Sequence, residues 1–296
     1  MIFLLELKKR AGIINEALEH FLPSSENYPP LLYEAMRYSV FAGGKRLRPV
    51  LTMACAEAAG GEPAHVLPAA CAIELIHTYS LIHDDLPAMD NDDFRRGEPT
   101  SHRVYGEAIA ILAGDALLTL AFELMTRNVR EGLIGSERVL RIIGEIAVAA
   151  GAAGMIGGQA IDILFMNKDL DAGILEYIHR HKTGALYRAA ARSGAILAGA
   201  DEEVLRSLTD YAEHLGMAFQ IKDDILDIEG NQAKMGKPAG SDERNKKTTY
   251  PILWGMEKAK EKAGLAVAAA IQTLNNFDHR ADFLRQLATF IITRDF

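Results

Sequence analysis

The sequence predicts an all-α protein, and three observations carry that reading. Apolar residues recur at helical spacing almost throughout: Leu284, Leu287 and Ile291 stand at i, i+3 and i+7, one face of a helix. Alanine-rich stretches at 189–200 and 266–270 favour helix and let helices pack closely. No segment alternates convincingly with period two, and no Asn-Gly or Asp-Gly pair marks a hairpin. Breaks are expected at 23–30, 43–49, 60–63, 87–99, 132–135, 167–173 and 230–251, leaving roughly ten helices. Neither repeats nor low-complexity linkers divide the chain, so residues 1–296 are expected to form one domain.

Composition fits that expectation. Of 296 residues, 49% are hydrophobic and 24% charged, enough to bury a core and too apolar for wholesale disorder. Net charge is −8, so nucleic acid is not an expected partner and any phosphate binding must be local. Cys55 and Cys71 are too few for a disulfide scaffold and read as reduced core residues of a cytoplasmic protein. The uncharged stretch 146–161 falls short of the ~18 residues a membrane helix needs, so no membrane association is expected. Residues 1–5 are apolar, but Glu6, Lys8, Lys9 and Arg10 follow at once, unlike a secretion signal.

Taken in chain order, the breaks carry the chemistry. Gly43-Gly44-Lys45-Arg46-Leu47-Arg48-Pro49 places three cations in a glycine-rich break before a helix. The apolar run 69–82 then ends in His83-Asp84-Asp85-Leu86-Pro87-Ala88-Met89-Asp90-Asn91-Asp92-Asp93. Asp84 and Asp90 are wrongly spaced for one helix face and converge only if the chain turns after Asp85, as Pro87 suggests. His77 stands two turns before Asp84 on the same face. Arg95-Arg96-Gly97 follows directly.

Gln159 and Asp162 in Gly-Gly-Gln-Ala-Ile-Asp support that centre or simply pack a helix; Lys182-Thr183-Gly184 adds another cation. In Gln220-Ile221-Lys222-Asp223-Asp224-Ile225-Leu226-Asp227, the polar groups Gln220, Asp223 and Asp227 share a helix face, with Asp224 beside them. A loop with Lys234, Lys237, Lys246 and Lys247 follows.

Two oxygen-rich clusters suit a hard, water-retaining cation such as Mg²⁺ shared with substrate phosphates, rather than zinc. Cations alternating with those carboxylates suit a diphosphate, which needs metal on some oxygens and Arg or Lys on others.

The ordered set GGKRLRP, DDLPAMD with RRG, KT, QIKDDILD and GKPAGSDERNKKTTYP resembles the trans-isoprenyl diphosphate synthases, closest to the bacterial short-chain branch. The resemblance covers residues 30–255. It implies an all-α barrel around a deep apolar cavity, usually in a homodimer. It implies that Asp84, Asp85 and Asp90 hold Mg²⁺ on an allylic diphosphate, with Asp223, Asp224 and Asp227 opposite, three ions in all. Arg95, Lys182, Lys237 and Lys247 would grip that diphosphate, with Thr183 and Gln220 at the start of its tail. Lys45, Arg48, His77 and Arg96 would hold isopentenyl diphosphate.

The helical wheel puts Ser80 nearer the Asp84 face and Tyr79 to one side; the resemblance makes Tyr79 the cavity floor and implies a C15 product, with C20 the alternative. A class I terpene cyclase is disfavoured by Asp-Asp-Ile-Leu-Asp and the intact GGKRLRP element. An inactive regulatory subunit is disfavoured because no motif residue is missing. No role is assigned to Lys246.

Overall fold

The computed structural model describes residues 2–130, 132, 134–166, 168, 170–229 and 248–294. Among these, helices make up nearly all the regular structure. The order is α1 (Ile2–Phe21), α2 (Pro30–Phe41), α3 (Leu47–Ala58), α4 (Leu67–Asp84), α5 (Ser101–Tyr105), α6 (Glu107–Arg130) and α7 (Ser136–Ala150). Then come α8 (Met155–Leu164), α9 (Ala172–Ile178), α10 (Ala185–Ala198), α11 (Glu202–Glu229), α12 (Tyr250–Trp254), α13 (Met256–Gln272) and α14 (Asp282–Thr293).

The central element is α4. Pro68 occupies its first turn, where a missing N–H costs nothing, and Pro87 lies just past its end. It is buried on every side from Pro68 to Ile76, packed between α3 and α6 with α1 and α10 alongside. Around it, amphipathic helices turn one stripe inward. In α7 that stripe is Val139, Ile142, Ile146 and Ala149; in α14 it is Phe283, Leu284, Leu287, Ala288 and Ile291. Cys55 and Cys71 sit unpaired in this core, and burial raises both thiols.

Two expectations, and the ground given for a third, need correction. A two-stranded hairpin, Phe94–Arg95 (β1) against Glu98–Pro99 (β2), turns through Arg96 and Gly97, both at positive φ. An Arg-Gly pair lacks the usual hairpin signature, so sequence pattern missed it. An unexpected break at Gly151 to Gly154 separates α7 from α8.

The third concerns membranes. Pro63–Asp84, Glu107–Val129 and Ser136–Leu164 are long and apolar enough to cross one by length and composition. A helix enclosed by other helices is apolar all round, so composition alone does not separate it from a membrane span. The apolar window of Pro63–Asp84 is 72% buried within the fold.

Candidate functional site

The end of α4 builds the first cluster. After Asp85 the chain folds back: Leu86 N donates to the His83 carbonyl, and Asp90 N to the Asp84 carbonyl at 2.9 Å. That turn brings Asp90 beside Asp84, as the spacing required. Burial pushes the Asp84 carboxyl up to about 6; Lys182 opposes this and the Asp90 charge reinforces it. Asp85 is buried against Arg95, whose Nε lies 2.8 Å from both carboxylate oxygens. Burial nevertheless leaves Asp85 above its ordinary range.

Lys182 reaches this cluster from a π-helical turn, His179–Gly184, inserted between α9 and α10. Wide turns of this kind re-aim side chains and recur at functional sites. Gly158 on α8 backs onto it so closely that a Cβ there would stand 2.2 Å from Lys182 N. One turn along α8, Asp162 Oδ2 receives Lys182 Nζ at 2.7 Å. Burial would lower the Lys182 ammonium, but Asp162, Asp84 and Asp90 raise it overall.

The second cluster lies on α11. Asp224 and Asp227 are buried, while the Asp223 side chain is 40% exposed and pairs with Arg294 at the end of α14. Thr183 Oγ1 donates to Gln220 Oε1 at 2.7 Å, and Gln220 Nε2 to Asp224 Oδ1 at 3.2 Å. The other Asp224 oxygen accepts Tyr250 N at 3.0 Å and lies 3.7 Å from His179 Nε2. Burial drives the His179 imidazole down to about 3, so it is neutral. His179, Tyr250 and Arg294 are the residues sequence reasoning missed; a π-turn and contacts distant in sequence leave no local pattern.

A third group is cationic. Arg48 carries its guanidinium 4.8 Å from the Tyr187 ring centroid, and its Nε is buried without a hydrogen-bond partner. Arg96 donates to the Gly43 carbonyl, joining the hairpin to the 43–49 break. Lys45 is half-buried on that same break. His77 is lowered well below its ordinary value by burial, then by Arg48, Arg96, Arg95 and Arg46. Thus Arg48, His77 and Arg96 share one neighbourhood. Tyr187 feels both Arg48 and Asp223, and His179 feels Asp162 and Lys182, so the three groups adjoin.

Tyr79 is buried one turn below the first cluster, its hydroxyl without a partner; Ser80, beside it, donates to the His77 carbonyl at 2.9 Å. Lys234, Lys237, Lys246 and Lys247 lie outside the described residues.

Among the described residues no three carboxylate, imidazole or thiol side chains converge into a ready-made ion cage. The donors still fit Mg²⁺, which is usually held by one or two carboxylates while phosphate and water oxygens complete its shell. Asp84, raised by burial and by the neighbouring Asp90 charge, is a carboxylate whose ionised form a bound cation would favour.

An almost entirely helical fold with two aspartate clusters and a cationic group beside them defines the isoprenyl synthase class. The polyprenyl synthetase family matches residues 29–287. The chain is 50% identical to a farnesyl diphosphate synthase of Geobacillus stearothermophilus, over 98% of this chain and 97% of that one. It is 45% identical to a geranylgeranyl diphosphate synthase of Cyanophora paradoxa, covering 98% and 95%. The crystal structure of geranylgeranyl pyrophosphate synthetase from Pyrococcus horikoshii superposes with a TM-score of 0.89 at 34% identity, covering 99% and 98%. The chain belongs to the polyprenyl synthetase family.

Proposed function

We propose that the chain is a short-chain trans-prenyltransferase that condenses isopentenyl diphosphate with dimethylallyl and then geranyl diphosphate, giving farnesyl diphosphate and diphosphate. The observation that carries this is the meeting of Asp84 and Asp90 with Lys182 on one side and of Arg48, His77 and Arg96 on the other. Each diphosphate thereby receives its own set of charges.

Asp84, Asp85 and Asp90 are the residues that would hold Mg²⁺ for the allylic diphosphate, together with Asp223, Asp224 and Asp227 on α11. Mg²⁺ bound by these carboxylates would supply Lewis-acid neutralisation of a departing diphosphate's charge. Arg95 and Lys182, with Lys237 and Lys247, take its remaining oxygens as the allylic C–O bond ionises to a delocalised carbocation. Thr183 and Gln220 lie where the hydrocarbon begins. Lys45, Arg48, His77 and Arg96 hold isopentenyl diphosphate so that its double bond attacks the cation. A proton then leaves the new C–C bonded intermediate for the released diphosphate. The protein's contribution is positioning and preorganised charge, with apolar walls that keep water from the cation.

Product length rests on Tyr79, whose buried ring stops the tail beneath Asp84. We read residues 1–296 as one catalytic domain, cytoplasmic and independent of membranes, working as a homodimer. Exposed Ile111, Leu112 and Leu140 supply apolar surface for a second copy.

Incubation with Mg²⁺, isopentenyl diphosphate and dimethylallyl diphosphate tests the reading. A linear C15 diphosphate as main product, lost in EDTA and restored by Mg²⁺, is expected. A cyclic hydrocarbon from allylic substrate alone, or no turnover, refutes the synthase; a mainly C20 product refutes the length.

A further inference from the structure

Gly114, in the middle of α6, faces the last turn of α4. A Cβ there would stand 2.2 Å from His83 Nε2 and 2.6 Å from its Cδ2. The backbone at Gly114 is ordinary helix, so it is space that calls for glycine, at a cost of about 1 kcal/mol relative to alanine. Into that space fits the His83 imidazole. Its Nε2–H donates to the Ile111 carbonyl at 3.1 Å, and Asp115 Oδ1 stands 3.9 Å away. Glycine and carbonyl thus seat the ring from α6, with the exposed Asp115 carboxylate nearby.

The other side of the imidazole meets Tyr79, one turn back on α4, edge-on with centroids 5.6 Å apart and planes at 83°. The Tyr79 ring is 5% exposed, and its hydroxyl is buried with no hydrogen-bond partner. Hence no polar anchor holds that ring in place. Packing alone fixes it, and the clamped imidazole of His83 is part of that packing.

We propose that His83, seated against Gly114, positions the Tyr79 ring and with it sets product length. This rests on the reading of Tyr79 as the cavity floor. Without the imidazole, Tyr79 can tilt into the vacated space and let the chain grow by another isoprene unit. Gly114 acts only through His83, because a methyl there must unseat the ring.

The test is the product distribution with isopentenyl and dimethylallyl diphosphates, beside melting temperature, for wild type, Tyr79→Ala, His83→Ala, Gly114→Ala and the His83→Ala/Gly114→Ala double variant. His83→Ala should raise the C20 to C15 ratio about tenfold, the scale on which an apolar pocket discriminates added carbons. Gly114→Ala should change the ratio as well, and the double variant should match His83→Ala, since contacting residues are not additive. Should His83→Ala fail to fold, His83→Gln keeps a donor for Ile111 but lacks the flat ring, and the same shift is expected. A merely structural role would lower melting temperature and leave the ratio unmoved. If Tyr79→Ala lengthens the product while the His83 variant leaves it unchanged, the inference fails and the floor stands. If Tyr79→Ala itself changes nothing, the floor falls, and the inference with it.

Discussion

Arg46 Nη1 and Glu74 Oε1 lie 2.7 Å apart in the interior, with both side chains only 2% exposed. The same guanidinium donates through Nε to Asn15 Oδ1 at 2.9 Å and through Nη2 to the Val40 carbonyl at 2.6 Å. One side chain therefore ties α1, α2 and α4 together, from a residue at φ 52°. Of the three cations in the 43–49 break, Arg46 is the one that turns inward as a structural post.

Stability should show this directly. Arg46→Met strands a buried carboxylate, which typically costs about 3–5 kcal/mol. Arg46→Met with Glu74→Leu removes both charges and should recover most of that loss in urea unfolding. A single variant as stable as wild type would show that the pair contributes nothing.

Asp84 gives a pH dependence whose sign follows from its raised carboxyl. Ordinary Asp titrates near 3.9 and folded Asp84 at about 6, so across that window the native state holds more protons than the unfolded chain. Stability in chelator should therefore fall as pH rises from about 4 to about 6. Asp84→Asn should remove most of this component, measured as the difference between the two unfolding curves. Mg²⁺ affinity should rise over the same window, because the metal needs the ionised carboxylate. Equal pH slopes in both proteins would contradict the assignment.

The two diphosphate sites should separate kinetically. Arg48→Ala is expected to raise KM for isopentenyl diphosphate far more than for the allylic partner, and Lys237→Ala to do the reverse. Asp84→Ala and Asp223→Ala should each lower kcat by about 10² or more, the usual cost of losing a preorganised charge stabiliser. Equal effects on both substrates would refute the partition, and near-normal turnover in either Asp variant would remove that cluster from the catalytic machinery.

Much of this site was legible because it is written in short, strongly spaced segments. The turn bringing Asp90 to Asp84 follows from six intervening steps and one proline, and the polar face of α11 from helical spacing. The buried α4 helix was equally visible as a mainly apolar run, 69–82, interrupted by Glu74 and His77. Pairings across distant segments were not visible: Arg46 with Glu74, Arg294 with Asp223, His179 with Asp224. Which of several cations in a motif turns inward depends on the backbone at that residue, and side-chain type does not encode it. The π-turn that aims Lys182 was hidden too, since its residues suit an ordinary helix.

The 43–49 break offers a test in which backbone strain and substrate binding come apart. Gly44 stands at φ +122°, and a Cβ there would lie 2.6 Å from Arg96 Nη1 and 2.7 Å from its Cζ. Gly44→Ala therefore imposes two penalties: a conformation L-residues avoid, and displacement of the Arg96 guanidinium from the Gly43 carbonyl. Gly106 also has positive φ, at +82°, but its Cβ would meet nothing within 4 Å. Gly106→Ala should thus lower melting temperature while leaving KM for isopentenyl diphosphate near wild type. Gly44→Ala should lower melting temperature as well and raise that KM about tenfold, the effect of about 1.4 kcal/mol of lost binding. KM for the allylic substrate should move much less, since Arg95 is held separately, by Asp85. If both alanine variants raise KM equally, strain alone is responsible and Gly44 does not cradle Arg96 for substrate.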